Sequence, residues 1–374
     1  MGIALHQLSR GMVSLSQPLK WDVFNAQGQL LLHKGYVLQS ESQLESLLER
    51  GMFVDAAELE KAKQEVKRVV EFDPFALWER LGKDCSRLSI DYTNSPPHQL
   101  LAVLDDLLLI METLIEKAPD AAIFELMQMD MSNYVVAHVQ QTAFLVTLIA
   151  TRLGWPPKKI RMVARAAATM NIAAMQLHTT LALQKEPITA AQKEEMLTHG
   201  LRGKLKLEEW GVKNKDWLQA VEEHHPETLH GERKPSEMAN LIHHVDVYLA
   251  KISPRAYRAA KPPNVAAKEM VQRKDVNPHY VGSIVKEIGV YPPGSYVKLA
   301  NGETAIVARR GKQAHTPIVF SLSNGAGLPL GEPIMRDTGS PLFTIASIVP
   351  RNKVMVTINR AKLFGAAKVF RAFG

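Results

Sequence analysis

Histidine is concentrated in one stretch of the chain, and imidazole is the side chain that proteins most often use to bind metal ions. Six of the 13 histidines lie between positions 199 and 244: His199, His224, His225, His230, His243 and His244. Three neutral imidazoles can hold zinc or a similar ion and leave a fourth position open for water. The stretch therefore indicates a metal site; the alternative is that hydrogen bonds hold these rings inside the fold.

One further histidine, His138, lies inside a long apolar segment. Residues 134 to 153 are apolar on most faces, and Gly154 followed by Pro156 is a typical helix stop. The pattern predicts a buried helix. A single histidine on such a helix is more often a hydrogen-bonded core residue than a metal ligand, so the residue type alone leaves its role open.

Helical spacing of apolar residues predicts the elements around these histidines. Apolar residues recur on roughly one face from Phe72 to Leu88 and again, more strongly, from Leu100 to Ile115. An alanine-rich segment from Met162 to Met175 predicts a further helix. Residues 56 to 72 are charged and helix-prone, which indicates an exposed connecting helix.

The amino-terminal residues predict a small α/β unit. Residues 21 to 33 have the pattern of a hairpin whose turn uses Gly28. Ser40 and Gln43 have the Ser-x-x-Gln spacing of a capping box, apolar residues follow at helical spacing, and Gly51 is a natural stop. Since this unit contains no group with an evident catalytic role, its predicted function is contact with another domain or another chain.

The carboxyl-terminal residues predict a small β extension. Residues 297 to 307 form a candidate hairpin around the favoured turn dipeptide Asn301-Gly302. Residues 318 to 320 and residues 354 to 357 are further strand-like runs. Beyond them lies a basic tail that also contains apolar side chains, so docking of the tail on the protein explains its composition.

The overall composition is that of an ordinary globular protein. Hydrophobic residues make up 46% and charged residues 22% of the 374 positions. The longest apolar run, residues 143 to 150, is far below the roughly 18 residues of a membrane span. Cys85, the single cysteine, permits no internal disulfide, and the first residues lack an export signal. The sequence thus predicts a cytoplasmic protein without a membrane anchor.

The net charge of the chain says little about its binding partners. A net charge of +7 and a pI near 9.3 are compatible with an anionic partner, but a mildly basic solvated surface explains them equally well. Nucleic acid is therefore not an expected partner. The sequence also lacks the glycine-rich phosphate loop, the nucleophile elbow and the paired cysteines of other common sites.

The order of the histidines resembles that of a known enzyme family. His138, an alanine-rich helix, His199, the pair His224-His225 and Asp246 follow one another as in the HD-type metal phosphohydrolases, and particularly in the HD-GYP family of cyclic di-GMP phosphodiesterases. The phrase at residues 288 to 303 is the most family-like in the chain. The resemblance implies an HD-domain-like helical bundle.

The resemblance is uneven along the chain. It is good over roughly residues 130 to 310 and loose over residues 1 to 55, which are similar to an accessory domain often fused to HD-GYP units. It fails at the central dyad, where the family has His, Asp and, three residues later, Lys. This chain has Met170, Asn171 and Ala174 instead.

These three departures affect the chemistry that the family performs. Methionine is a soft thioether that does not suit a hard, water-activating ion, and a neutral Asn171 is a poor bridge between two cations. Ala174 removes the cation that would face the phosphate. By resemblance, the first metal keeps only His138 and Asp246, and the second keeps His199, His224 and His225. We therefore expect vestigial ligands or a single-ion site, which His243 could supplement, and no catalytic residues for the usual reaction.

The loop that gives the family its name has also changed. After His225 the Gly-Tyr pair of the family is replaced by Arg233-Lys234. The segment from Arg255 to Arg258 resembles an Arg-Pro-Tyr-Arg segment of the family. The candidate phosphate-binding residues are accordingly Arg233, Lys234, Arg255 and Arg258, although basic residues on loops are more often simply solvated.

The predicted fold class is mainly α: an HD-domain-like helical bundle with a small α/β appendage at the amino terminus and a β-rich appendage at the carboxyl terminus. The predicted domains are an α/β accessory domain (1–60), a helical connector (61–125), a degenerate HD-GYP-like domain (126–290) and a β extension with a basic tail (291–374).

The predicted function is regulatory. We expect a catalytically degenerate HD-GYP-like protein of bacterial cyclic di-GMP signalling that binds a cyclic dinucleotide or a protein partner, with no cofactor or one zinc, iron or manganese ion. A homodimer is compatible with the helical connector. The alternative is an active metal-dependent phosphohydrolase or phosphodiesterase that uses the surviving histidines.

Overall fold

The computed structural model describes residues 5–8, 13, 19, 21–49, 51–59, 72–229, 234–273 and 276–369. The chain divides into two compact units, Met1–Asp73 and Pro74–Gly374. Most of the predicted connecting helix at residues 56 to 72 lies outside the described residues, as do His230 and Arg233.

The described residues of the first unit include a four-stranded antiparallel sheet and a helix, and a further helical turn begins at residue 56. Its strands are β1 (Leu5–Gln7), β2 (Val23–Phe24), β3 (Leu30–Leu32) and β4 (Phe53–Asp55), in the order β1-β4-β2-β3, with helix α1 (Glu41–Glu49) between β3 and β4. The predicted hairpin is confirmed: β2 pairs with β3, and the Asn25 side chain accepts backbone bonds from Gln27 and Gln29 across the turn. Gly28 adopts a φ of 77° there, a conformation that favours glycine.

The helical part of the second unit begins at Pro74. Its helices are α2 (Pro74–Ser89), α3 (Pro97–Lys117), α4 (Pro119–Gln128), α5 (Tyr134–Arg152), α6 (Pro157–Thr169), α7 (Met175–Leu183), α8 (Ala190–Glu209), α9 (Lys215–Glu223), α10 (Glu237–Ile252), α11 (Pro263–Val271) and α12 (Pro278–Ile288). Proline at the first turn of many of these helices supplies a fixed helical φ where no backbone donor is needed. The helices predicted around residues 72–88, 100–115 and 134–153 are thus confirmed.

Helix α5 is the centre of the helical bundle. Nearly all of its residues are buried, including His138, and its side chains pack against the neighbouring helices in one continuous apolar core. Trp78 of α2 meets Phe144 edge-on, with ring centroids 5.2 Å apart. Among the described residues, α5 is the one helix long and apolar enough to cross a membrane, but 89% of its apolar window is buried inside the protein. The apolar side chains of α5 are therefore explained by its position in the core of the bundle.

The alanine-rich helix ends earlier than the sequence predicts. Instead of continuing to Met175, α6 ends at Thr169, and the chain makes a turn closed by backbone bonds from Ile172 to Thr169 and from Ala174 to Asn171. At this end of the helix the Thr169 hydroxyl bonds back to the Arg165 carbonyl and accepts the indole N–H of Trp217. Periodicity does not register these contacts, since alanine favours a helix on either side of the turn.

Two glycines let α8 lie very close to α9. A methyl group on Gly200 would stand 2.7 Å from the Glu222 carbonyl oxygen, and one on Gly203 would stand 3.2 Å from a Val221 methyl group. At the start of α8, Thr189 and Gln192 form a reciprocal capping box that fixes where the helix begins. The close approach brings the middle of α8 to the end of α9.

A five-stranded antiparallel sheet and a final helix complete the second unit. The strands are β5 (Tyr296–Leu299), β6 (Thr304–Arg309), β7 (Ile318–Ser323), β8 (Pro329–Asp337) and β9 (Ile345–Ile348), in the order β8-β7-β6-β5-β9, followed by α13 (Arg360–Val369). Arg310 connects the sheet to the helices through Asp120 and Glu287. The predicted hairpin and the strand at 318–320 are confirmed.

One strand prediction in this region is wrong. Residues 354–357 form no strand: they follow a 3-10 turn in an extended but unpaired segment. Val354 and Val356 pack instead against a small apolar cluster beside the sheet. The side chains at residues 354–357 do alternate between partly buried and exposed positions. The segment is nevertheless not a strand, because its backbone pairs with no neighbouring strand among the described residues. The predicted fold class, a helical bundle with an α/β part before it and a β-rich part after it, is confirmed.

Candidate metal centre

Three histidines meet where α8 passes the end of α9. His199 lies on α8, His224 is the residue that caps α9, and His225 follows it. Their ring centroids are 4.4 to 5.0 Å apart, and one ligating nitrogen from each ring lies within 4.8 Å of the others. His199 and His224 are fully buried. The structure thus brings together the three residues that the sequence singled out as a candidate metal site.

The outer nitrogen of each ring is already engaged. His199 Nδ1 lies 2.6 Å from the Met196 carbonyl oxygen, and His224 Nδ1 lies 2.7 Å from the Val221 carbonyl oxygen. His225 Nδ1 lies 3.1 Å from a carboxylate oxygen of Glu227. Because carbonyl and carboxylate oxygens only accept, each Nδ1 carries the proton. Each Nε2 is then left with a lone pair, as in histidines whose orientation is fixed for metal binding.

Two of these lone pairs face each other. The Nε2 atoms of His199 and His224 are 2.9 Å apart, a distance that is favourable only when a proton or a cation lies near both. Burial lowers the pKa of His199 to about 4 and holds the pKa of His224 well below its usual value, which makes a shared proton costly at neutral pH. A metal ion bound to the two neutral rings would remove the repulsion between their lone pairs without protonating either ring.

The donor set fits one transition-metal ion. Three neutral imidazoles suit zinc or another late transition metal better than magnesium or calcium, which prefer oxygen ligands. His225 differs from its neighbours: burial opposes its charge, but the bond to Glu227 and the nearby charge of Asp246 raise its pKa overall. The same bond lowers the pKa of Glu227 to about 2, so this carboxylate is ionised and orients the His225 ring.

The other two predicted ligands bind each other. His138 Nε2 lies 2.9 Å from Asp246 Oδ1, and both side chains are largely buried. Burial alone would raise the pKa of Asp246, but the hydrogen bond and charge of His138 outweigh it and hold the pKa below its usual value. His138 Nδ1 is buried without a hydrogen-bond partner, and Tyr134 stacks on the ring with centroids 5.2 Å apart. The two side chains thus bond to each other, while the charge of Asp246 also acts on His225.

A further histidine, His178, lies between the pair and the three-histidine cluster. Its ring centroid is 6.3 Å from that of His138 and 5.9 Å from that of His199. Its Nε2 is buried without a partner, and burial lowers its pKa to about 3. Sequence reasoning missed it because His178 stands alone on α7, outside the histidine-rich stretch. Its one signal in the sequence was its position three residues after the alanine-rich segment.

Glu227 and His243 form a second grouping with His225. One possible ligand atom from each of the three lies within 4.8 Å of the others. His243 Nδ1 lies 3.2 Å from the His224 carbonyl oxygen, so this ring is anchored to the same turn. The sequence indicated His243 as a candidate supplementary ligand, whereas Glu227 was not among the predicted ligands.

The turn after α6 holds the three departures from the family pattern. Met170, Asn171 and Ala174 are all buried, and Met170 belongs to the main apolar core. Met170 therefore performs packing, and the turn presents no ionisable side chain at these three positions.

The candidate phosphate-binding residues have different surroundings. Arg255 lies over the Tyr134 ring, 3.5 Å from its centroid, and donates to the Tyr134 hydroxyl. Arg258 donates to the Ala250 carbonyl near the end of α10. Lys234 is exposed. Arg233 lies outside the described residues.

This chain resembles, in part, a solved HDG"Y"P protein. The protein is Bd1817 from Bdellovibrio bacteriovorus, with 12% sequence identity and a TM-score of 0.47, over 75% of this chain and 98% of that one. No protein-family profile matches this sequence, and no curated protein sequence matches it. The chemistry of the site therefore has to be argued from its own geometry.

Proposed function

We propose that this protein is a catalytically degenerate, HD-GYP-like regulatory protein of bacterial cyclic di-GMP signalling, which acts by binding a cyclic dinucleotide or a protein partner. The observation that carries the proposal is the buried turn at Met170, Asn171 and Ala174. A two-metal hydrolase needs charged groups there to hold both cations and to meet the phosphate. Neutral side chains in a packed turn supply none of them.

The same geometry supports one bound metal ion. His199, His224 and His225 would hold it, and Glu227 would keep the His225 ring oriented. Such an ion, when bound, lowers the pKa of a coordinated water and attracts phosphate oxygens. A second ion near His138 and Asp246 would be poorly compensated, because a single carboxylate serves that position and already bonds to His138.

Within this proposal the chain's own residues bind and orient. The backbone carbonyls of Met196 and Val221 fix the tautomers of two rings. Burial excludes water from His199 and His224, which keeps both rings neutral at physiological pH. These two rings thus resist protonation and offer lone pairs to an electrophilic ligand.

Two measurements on the full chain test the proposal together. Protein purified without added metal should contain at most one transition-metal ion by elemental analysis, and the paired substitution His224→Ala and His225→Ala should remove it. His279→Ala, at an exposed position outside the cluster, is the matched control and should leave the metal content unchanged. Cyclic di-GMP should bind in calorimetry or compete with a protein partner, without hydrolysis above background in manganese, iron or zinc. Two metals per chain, or hydrolysis abolished by His224→Ala, would overturn the proposal.

The alternative, an active phosphohydrolase, has one specific observation in its favour. Three imidazoles with convergent lone pairs leave an open coordination position, which is the arrangement of catalytic zinc sites. The distinguishing assay is turnover of a generic phosphodiester such as bis(p-nitrophenyl) phosphate by metal-loaded protein. Turnover that disappears in His199→Ala would favour the enzyme, whereas metal binding without turnover favours the regulatory role.

A further inference from the structure

A large cavity opens on the second unit away from the histidine cluster. Its volume is about 1300 Å³, above the roughly 300–1,000 Å³ of ordinary small-molecule sites. Its walls come from the end of α2, the loop between α4 and α5, helix α7, the segment after α10 and Arg351. None of the described histidines lines it. The cavity thus shares no histidine with the metal centre, although Tyr134, which stacks on His138, forms part of its wall.

Flexible apolar side chains form much of the lining. Four methionines share this property: Met127, Met129, Met131 and Met175. Methionine is unbranched and polarisable, so it adapts to flexible apolar ligands more readily than a branched side chain does. At the rim, Ile90 is 51% exposed and Leu183 is 71% exposed. Large apolar side chains left in water at a cavity mouth indicate an apolar ligand.

The charged groups of the lining favour an anion. Arg255 and Arg351 both line the cavity, and each uses only part of its guanidinium in the protein, for the Tyr134 hydroxyl and the Gln128 carbonyl respectively. The lining acid, Asp130, accepts two hydrogen bonds from Ser132. Because a guanidinium has five N–H donors, both arginines retain donors for a ligand.

Several polar side chains of the lining are already engaged. The Asn133 side chain caps α5, the Ser132 hydroxyl donates to Asp130, and the Thr179 hydroxyl donates to the Met175 carbonyl. A nucleobase is normally recognised by free donors and acceptors at its edges. Two other polar groups of the lining, Gln141 Oε1 and Ser253 Oγ, are buried without a hydrogen-bond partner, so the preference for an aliphatic chain over a base rests on the methionines.

We propose that this cavity binds an amphipathic anion, a carboxylate with a flexible aliphatic chain. The chain lies among the methionines and the carboxylate pairs with Arg351, since Arg255 is held by both the ring and the hydroxyl of Tyr134. This ligand goes beyond the proposed regulatory function, because it requires neither the metal ion nor a cyclic dinucleotide. It gives the protein a second, independent input.

Calorimetry of the full chain with dodecanoate, below its aggregation concentration, tests the proposal. One dodecanoate should bind per chain, and decanoate should bind about fifteenfold more weakly, since each methylene contributes about fourfold. Acetate and GMP should not bind at this site. Dodecyltrimethylammonium, which has the same chain and a cationic head, should bind at least tenfold more weakly than dodecanoate. Equal binding of the cationic amphiphile, or displacement of dodecanoate by GMP, would overturn the proposal.

Three variants locate the binding site. Arg351→Gln should weaken dodecanoate binding about tenfold or more, as expected for loss of a charged hydrogen bond. Met131→Glu, at a half-exposed position of the wall, should also weaken it by placing a carboxylate near the ligand. Arg161→Gln is the matched control, since Arg161 pairs with Glu112 outside the cavity. Thermal unfolding of each variant confirms folding. Affinity unchanged in both cavity variants, or reduced equally in the control, would contradict the assigned site.

Discussion

Replacing three glycines by alanine, one at a time, tests how closely α8 must approach α9 to bring His199 to His224. Gly200, Gly203 and Gly282 all lie within helices, and none has a positive φ. Alanine is more favourable than glycine in a helix by about 1 kcal/mol. All three variants should therefore gain about the same helix stability. They differ in how close the new methyl group comes to neighbouring atoms.

The structure gives each site a different expected outcome. At Gly200 the methyl group would lie 2.7 Å from the Glu222 carbonyl and 3.1 Å from the Val221 carbonyl, and neither backbone group can rotate away. Overpacking costs about 1–3 kcal/mol, and rigid neighbours place this site near the upper end. After the helix gain, the free energy of unfolding should fall by about 2 kcal/mol.

The other two glycines act as graded controls. At Gly203 the nearest atom, 3.2 Å away, belongs to the Val221 side chain, which can shift, so gain and cost should nearly cancel. At Gly282 nothing lies within 4 Å, and the free energy of unfolding should rise by about 1 kcal/mol. Urea denaturation of the three variants measures these differences directly.

A second readout connects the packing to the metal centre. The Val221 carbonyl oxygen accepts a hydrogen bond from His224 Nδ1. A displacement of α9 would therefore also move His224 Nε2, the ligating nitrogen. Zinc affinity of Gly200→Ala should fall about tenfold, as for other changes around a ligand, whereas Gly282→Ala should bind zinc normally. If Gly200→Ala is stabilised as much as Gly282→Ala, the close approach of the helices is refuted, and with it this explanation of how the histidines meet.

Three further changes test individual contacts. Glu227→Gln should weaken zinc binding about tenfold, because it removes the carboxylate that orients His225. Glu208→Gln, at an exposed position on α8, is the control and should bind zinc normally. Equal zinc affinities of the two variants would exclude an orienting role for Glu227. Thr169→Val should lower the free energy of unfolding by about 1–3 kcal/mol, since it leaves the buried Trp217 N–H without an acceptor, and an unchanged urea midpoint would contradict this. Arg336 lowers the pKa of Glu303 to about 2, so the stability from this pair is present above the unfolded pKa near 4.5 and is lost as pH falls towards 2. Glu303→Gln should therefore lower the melting temperature at pH 7 more than at pH 3; the same loss at both would show that the charge is not responsible.

The sequence predicted the elements better than their ends. Helix α5, the carboxyl-terminal hairpin and the hairpin around Gly28 follow from local patterns that the tertiary structure does not alter. The end of α6 does not: it lies where Thr169 accepts a hydrogen bond from Trp217, 48 positions away, and a local pattern does not show such a contact. Residues 354–357 have an alternating pattern, but a strand also needs a neighbour with which to pair.

The candidate site was predictable to a similar degree. His199, His224 and His225 follow from histidine density and order, and the structure places them together. His178 and Glu227 come into the site only through the packing of α7 and the turn after His225, which no spacing rule specifies. The cavity with Arg351 could not be predicted, since its walls come from five separate parts of the chain.

The protonation of the cluster bears on whether the three histidines are relics of a lost enzyme. If they were held only by hydrogen bonds, His199 and His224 would need a proton between their Nε2 atoms, since both Nδ1 protons are committed to carbonyl oxygens. Burial lowers the pKa of both rings, so that proton would be costly near pH 7. A bound cation removes the conflict and stabilises the folded state by a free energy that grows with the logarithm of its affinity. The turn at Asn171 supplies no second carboxylate, so this argument supports one ion and not two. The three rings are thus arranged so that they could hold one metal ion.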